Sequence, residues 1–221
     1  MSLLKSALIK FVSGIVLLGA LLFLPAGTWH YPNGWLLMGL LFVPMFFLGV
    51  GLFLKAPELL KKRLNHKEKE KQQRGVVAGS ALLFLAAFIL AGLDYRFGWT
   101  NVPGFLVAAA AVVQLAAYAM YAEVMRENAY LSRTIKVEEG QTVVDTGLYG
   151  IVRHPMYMAT ILLFLMIPLI LGSWYALIVF AFYPVIIIVR LKDEENLLTR
   201  ELPGYAAYKE KVKYRLLPLI W

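Results

Sequence analysis

Cysteine is absent from the 221 residues, which excludes disulfides, thiolate nucleophiles, zinc-thiolate sites and iron-sulfur clusters and leaves the redox compartment unread. Histidine occurs only at His30, His66 and His154. Three separate regions hold them, so no metal site is expected. Charge is scarce too, with 16% charged against 60% hydrophobic residues. No dinucleotide-binding glycine fingerprint, internal repeat or linker-like tract is present, and 1–221 reads as a single domain.

What is there in quantity is apolar sequence. A mean hydropathy of +0.68 is far above that of a soluble domain, and the apolar runs are Ala7 to Leu24, Trp35 to Leu54, Val76 to Leu93, Val102 to Tyr121, Met156 to Leu171 and Trp174 to Val189. The expected fold is all-α: a polytopic membrane bundle of five to six transmembrane helices. The last two runs have only 16 residues each and are split by Gly172-Ser173, so they predict a tight C-terminal helical hairpin. Lys5 before the first run and Lys10 within it imitate a signal peptide, yet Pro25 to Trp29 makes a weak cleavage site, and the run reads as a retained helix.

Charge sets the orientation. Lys55 to Arg74 carries eight basic and three acidic residues, whereas Pro25 to Gly34 carries no charge and Asp94 to Asn101 one of each sign. The basic side is expected to be cytoplasmic, with both termini, the 126–153 segment and the tail beyond Arg190 on it. The same asymmetry accounts for the net charge of +8 through contact with anionic membrane lipids, so no nucleic-acid partner is expected. Ala56 to Leu64 reads as a short interfacial helix with Leu59, Leu60 and Leu64 towards lipid, or simply as a topology anchor.

Residues 1–122 are expected to be mainly scaffold, and 123–221 to carry the chemistry. Gln114, Tyr118 and Tyr121 fall on one face of the fourth helix, either bonding to another helix or walling a cavity. Leu131 to Gly147 reads as a β-hairpin or extended loop turning at Gly140. It delivers the chain to a polar knot, Leu148 to Tyr157. Pro155 suits the first turn of a helix, which places Arg153 and His154 at the helix mouth, either as an anion seat or as an ordinary basic membrane boundary. At the far end of the hairpin stand Arg190, Glu194 and Glu195; Arg190 and Glu194 share a helix face. The hairpin returns this cluster to the side of Arg153. From Leu198 to Tyr214 the chain is amphipathic, a cytosolic tail able to fold back as a lid, with Tyr205 and Tyr208 one turn apart.

The ordered set Gly147-x-Tyr149-x-x-x-Arg153-His154-Pro155-x-Tyr157, then a hydrophobic hairpin, then Glu194-Glu195, then Tyr205-x-x-Tyr208 resembles the isoprenylcysteine carboxyl methyltransferase family and its relatives among integral-membrane methyltransferases, including phospholipid N-methyltransferases. The resemblance covers about Glu123 to Pro218. Family members often have Pro and Arg where this chain has Leu148 and Gly150. The resemblance implies S-adenosylmethionine-dependent methyl transfer at the cytosolic membrane face. It also implies a cofactor pocket made by Gly147, Tyr149, Arg153, His154, Pro155, Tyr157, Glu195, Tyr205 and Tyr208, with Arg190 and Glu194 at the active centre. The implied acceptor is lipophilic, a small molecule or a lipidated substrate: an isoprenylcysteine-like carboxylate or, alternatively, a phospholipid or other lipid amine. No obligate protein partner is implied. Rivals of other classes are a sterol-reductase-like membrane oxidoreductase and a non-enzymatic scaffold or transporter.

Overall fold

The computed structural model describes residues 3–64, 71–131 and 137–221, with side chains from 75 onward in the second stretch. The described elements are helices α1 (Leu3–Ala26), α2 (Pro32–Lys55), α3 (Pro57–Leu64), α4 (Lys71–Phe97), α5 (Gly104–Glu127), α6 (Pro155–Leu171), α7 (Trp174–Phe180), α8 (Tyr183–Glu201) and α9 (Tyr205–Lys211), with a 3-10 turn at Gly147–Gly150 before α6. Five stretches are long and apolar enough to cross a membrane: α1, α2, Gly75–Phe97 of α4, α5, and α7 with α8 taken together over Trp174–Glu201; α6 is a shorter apolar helix. This is the all-α polytopic bundle expected, and the protein is an integral membrane protein.

Proline and small polar residues set the helix ends. Pro32 and Pro155 open α2 and α6, where a missing N–H costs nothing. The α6–α7 turn forms because Gly172 takes a left-handed φ of 81° and the Ser173 hydroxyl then accepts from the Ala176 N–H at 3.1 Å. Small residues let α1 and α4 approach closely. A Cβ at Gly92 would stand 2.8 Å from the Leu22 carbonyl, and Ala87 and Ala91 are fully buried along the same face. Leu22, Phe23, Leu37, Ile167, Ile170 and Phe180 fill the core between these helices.

One end of the bundle is fastened by a buried carboxylate. Asp94 accepts from the Thr100 N–H at 2.7 Å and the Thr100 hydroxyl at 2.5 Å, and also from the Ser173 hydroxyl, which ties the end of α4 to the α6–α7 turn. Tyr31 adds a second tie through its hydroxyl to the Leu171 carbonyl at 2.7 Å. Trp29, Trp35, Trp99 and Trp174 are exposed around this end, an interfacial aromatic belt. The charged clusters of the sequence lie at the other end.

Two local expectations change, and one open alternative is decided. Leu59 and Leu60 on α3 are buried against the protein rather than turned to lipid, because α3 docks on α2 and α1 instead of floating beside them. No strand occurs among the described residues; from 137 the loop is extended with a turn at Gly140, where φ is 71° and the Gln141 N–H donates to the Glu138 carbonyl at 3.1 Å. Residues 132–136 of the proposed hairpin lie outside the described residues. The amphipathic stretch after Leu198 is two helices, because Pro203 and Gly204, the latter with φ 83°, break it between α8 and α9.

Candidate functional site

The two ends of the final hairpin meet. Arg153, just before α6, donates from Nε to Glu195 Oε1 at 2.6 Å, and Glu195 sits near the end of α8. The tail folds back over this junction: the Arg153 N–H donates to the Tyr214 carbonyl and the His154 N–H to the Arg215 carbonyl, each at 2.9 Å. Arg215 then reaches in from the tail, donating from Nε to Glu195 Oε2 at 2.7 Å. A buried carboxylate thus holds α6, α8 and the tail together.

Arg153 does its work inward. Its Nη1 donates to the Val212 and Lys213 carbonyls at 2.8 Å each, so most of its fork is engaged by protein acceptors and its side chain is only 6% exposed. The mouth of α6 is a clasp for the tail before it is a seat for any anion. His154 is different. Its Nε2 is buried, stands 3.4 Å from Glu195 Oε1, and makes no hydrogen bond.

Next to the clasp, the Tyr157 hydroxyl donates to Glu194, and Arg190 acts on the same hydroxyl. Arg190 and Glu194 are therefore gathered around one phenol by the turn spacing of α8. Tyr208 donates to the Tyr149 carbonyl at 2.7 Å, fixing α9 to the 3-10 turn, while Asn128 Nδ2 donates to the Tyr149 hydroxyl at 3.0 Å. The Tyr205 hydroxyl is buried with no partner. Burial pushes the Tyr149, Tyr205 and Tyr208 hydroxyls well above the usual phenol range, so all three stay neutral donors.

These groups open onto one cavity of about 1230 Å³. Tyr149, Arg153, His154, Tyr157, Arg190, Glu194, Tyr205 and Tyr208 line its polar end. The same cavity runs between the membrane helices, where Phe11 and Leu17 of α1, Phe42 and Phe46 of α2, Phe84 of α4 and Phe164 of α6 form an apolar wall. Glu195 and Pro155 stand behind the lining rather than in it. Gly147 is also absent from it and has a packing reason of its own. Its φ is 51°, and a Cβ there would stand 2.2 Å from the Glu127 carboxylate.

Sequence reasoning did not single out Arg63, Asn128 or the α1 and α2 wall, all of which line the cavity. It did place Tyr118 and Tyr121 on one face of α5, and both of the open alternatives hold: Tyr118 bonds the Leu41 carbonyl of α2 at 2.9 Å, and both tyrosines line the cavity. Gln114 is fully buried, with neither amide atom bonded.

No curated protein matches the chain at a significant level. Residues 106–200, which run from α5 through the polar knot and the hairpin to the Glu194-Glu195 pair, match the model of the isoprenylcysteine carboxyl methyltransferase (ICMT) family. Through that segment, which is less than half of the chain, the protein is similar to the isoprenylcysteine carboxyl methyltransferase family.

Proposed function

We propose that this protein transfers a methyl group from S-adenosylmethionine to a lipophilic acceptor at the cytosolic membrane face, and that the acceptor atom is a carboxylate oxygen. The observation that carries the reading is the continuity of one cavity from an apolar wall between α1, α2, α4 and α6 to a polar end where both hairpin termini and the tail converge. A soluble cofactor and a membrane-embedded acceptor need that combination in order to meet. The surplus of basic residues at 55–74 supports a cytosolic position for the polar end.

The residues present fit the cofactor. The Tyr205 hydroxyl is buried, unbonded and in the lining, so it offers a hydrogen bond that no protein group takes up, and the His154 imidazole, whose Nε2 faces Glu195 at 3.4 Å, is in the same lining. When bound, S-adenosylmethionine supplies a methyl group on a sulfonium, open to in-line displacement. The faces of Tyr149, Tyr157, Tyr205 and Tyr208 suit a neighbouring cation, and the folded-back tail excludes water.

A carboxylate is already ionised at neutral pH, so no general base is needed. Arg190 orients it, and Glu194 holds the Tyr157 hydroxyl that shares the site. The charge of the wall favours this acceptor over an amine. Among the described lining residues, Lys10, Arg63 and Arg190 outnumber the single carboxylate of Glu194, while Arg153 is paired with Glu195 behind the wall.

The test is incubation of the purified protein with methyl-labelled S-adenosylmethionine and a membrane lipid extract. A lipid-soluble product that releases its label under mild alkali, as a methyl ester does, is the expected result. Label stable to alkali would replace the carboxylate by an amine, and no labelled lipid would remove the reading.

A further inference from the structure

Beyond the clasp the tail doubles back on itself. The Trp221 carbonyl accepts from the Arg215, Leu216 and Leu217 N–H groups at 2.9, 3.0 and 3.1 Å, and the Trp221 N–H donates to the Leu217 carbonyl at 3.1 Å. Leu216 is buried under this knot, and the Arg215 guanidinium lies 5.2 Å from the centroid of the Trp221 ring. Leu217, Pro218, Leu219 and Ile220 are thrown outward as an exposed loop. Its tip is held by a strained backbone: Leu219, with a φ of 66°, is the one residue other than glycine in a left-handed conformation among those described.

Such a tip is unfavourable in water. Leu219 and Ile220 are 84% and 77% exposed, more than any large apolar residue described on the membrane-crossing helices, whose bare side chains face lipid. The position of the loop points to the same solvent. Because the Arg153 and His154 N–H groups bond the Tyr214 and Arg215 carbonyls, the tail passes directly in front of Pro155, where the apolar helix α6 begins. Leu217 follows two residues later. Charge agrees as well. Lys213 is exposed and has no carboxylate partner among the described residues, and the basic surplus at 55–74 lies at the same end of the bundle. An indole under a guanidinium suits the headgroup layer.

We propose that residues 217–220 are an interfacial anchor, a loop that enters the bilayer surface beside the mouth of α6 and holds the tail closed over the polar end of the cavity. The partner is the lipid surface, met by two apolar side chains at the tip and by a cation and an indole behind them. The anchor acts on the clasp through Arg215, which donates to Glu195 Oε2 at 2.7 Å. It stands whatever cofactor or acceptor the cavity takes.

The chain has no cysteine, so an Ile220→Cys variant of the full chain takes a single nitrobenzoxadiazole label. In nanodiscs of phosphatidylcholine and phosphatidylglycerol, Leu82→Cys on the exposed side of α4 gives the lipid reference and Glu210→Cys on α9 the aqueous one. The label at Ile220→Cys is expected to be quenched by nitroxide-bearing lipid, as at Leu82→Cys, and to escape the aqueous iodide that quenches Glu210→Cys. Closure of the tail is read by hydrogen exchange at the Arg153 and His154 N–H groups. Leu219→Asn with Ile220→Ser, where asparagine tolerates the left-handed backbone, should raise that exchange about tenfold and leave α1 and α2 unchanged. Iodide quenching at Ile220→Cys equal to that at Glu210→Cys would overturn the proposal. A label shielded from both quenchers would overturn it too, by giving the tip a protein partner. Unchanged exchange in the double variant, or a matched rise in α1 and α2, would overturn the hold of the anchor on the tail.

Discussion

Arg153→Ala tests the clasp at the hairpin junction. The substitution removes the 2.6 Å bond to Glu195 and both 2.8 Å bonds to the tail carbonyls, at a side chain only 6% exposed. Breaking one partner of a buried pair costs about 3–5 kcal/mol. Arg215 still faces Glu195 Oε2, so the lower end of that range, about 3 kcal/mol, is expected. In a chain of this size that corresponds to a fall of roughly 6–12 °C in the unfolding midpoint, read by thermal unfolding in detergent. Because the same change undocks Val212 and Lys213, hydrogen exchange should rise in the tail more than in α1 or α2. Arg153→Ala combined with Glu195→Leu should cost less than the sum of the single changes, because no stranded charge is left behind. A loss below about 1 kcal/mol, or additive behaviour of the pair, would refute the reasoning that Arg153 holds the fold together at this point.

Gly147→Ala should destabilise by about 1–2 kcal/mol, since it puts a Cβ on a left-handed residue and displaces the Glu127 carboxylate. Adding Glu127→Ala should recover the steric part but not the backbone part, a difference that chemical unfolding of the single and double variants reads directly. Asp145 pairs with Lys211 at 2.6 Å, and the Lys211 ammonium, through that hydrogen bond and its charge, holds the aspartate below its usual range. A carboxyl with a depressed folded pKa stabilises above its unfolded value, about 3.9, and loses that contribution as pH falls from there through the folded value. Protection factors in α9, taken relative to the intrinsic exchange rate at each pH, should therefore fall as pH drops below about 4, and Asp145→Asn should remove that fall.

Much of the fold was legible because membrane spans are written in composition. The apolar runs gave the helices, and Gly172-Ser173 gave the hairpin turn that Gly172 and Ser173 then cap. The site was legible where spacing along one helix decided it: Arg190 and Glu194 share a face, and the structure puts both around the Tyr157 hydroxyl. What could not be read depended on contacts between distant segments. Nothing near Arg153 announces that carbonyls from Val212 and Lys213, some sixty residues on, take up its donors. Nor does the basic run at 55–74 reveal that Arg63 turns onto Tyr121, because a lysine-rich boundary looks the same whether its helix lies on lipid or on protein. The alternation after Leu131 left a β-hairpin and an extended loop both open for a related reason. An extended strand needs a partner edge, and this bundle of helices supplies none among the described residues.

The central claim is that both ends of the hairpin, with the tail over them, enclose the methyl donor. Ultraviolet cross-linking of methyl-labelled S-adenosylmethionine to the full chain, followed by peptide mapping, tests it most directly. The account predicts label on peptides from both 147–157 and 190–208, competed away by unlabelled cofactor. Label confined to one of these segments, or to peptides away from both, would contradict it.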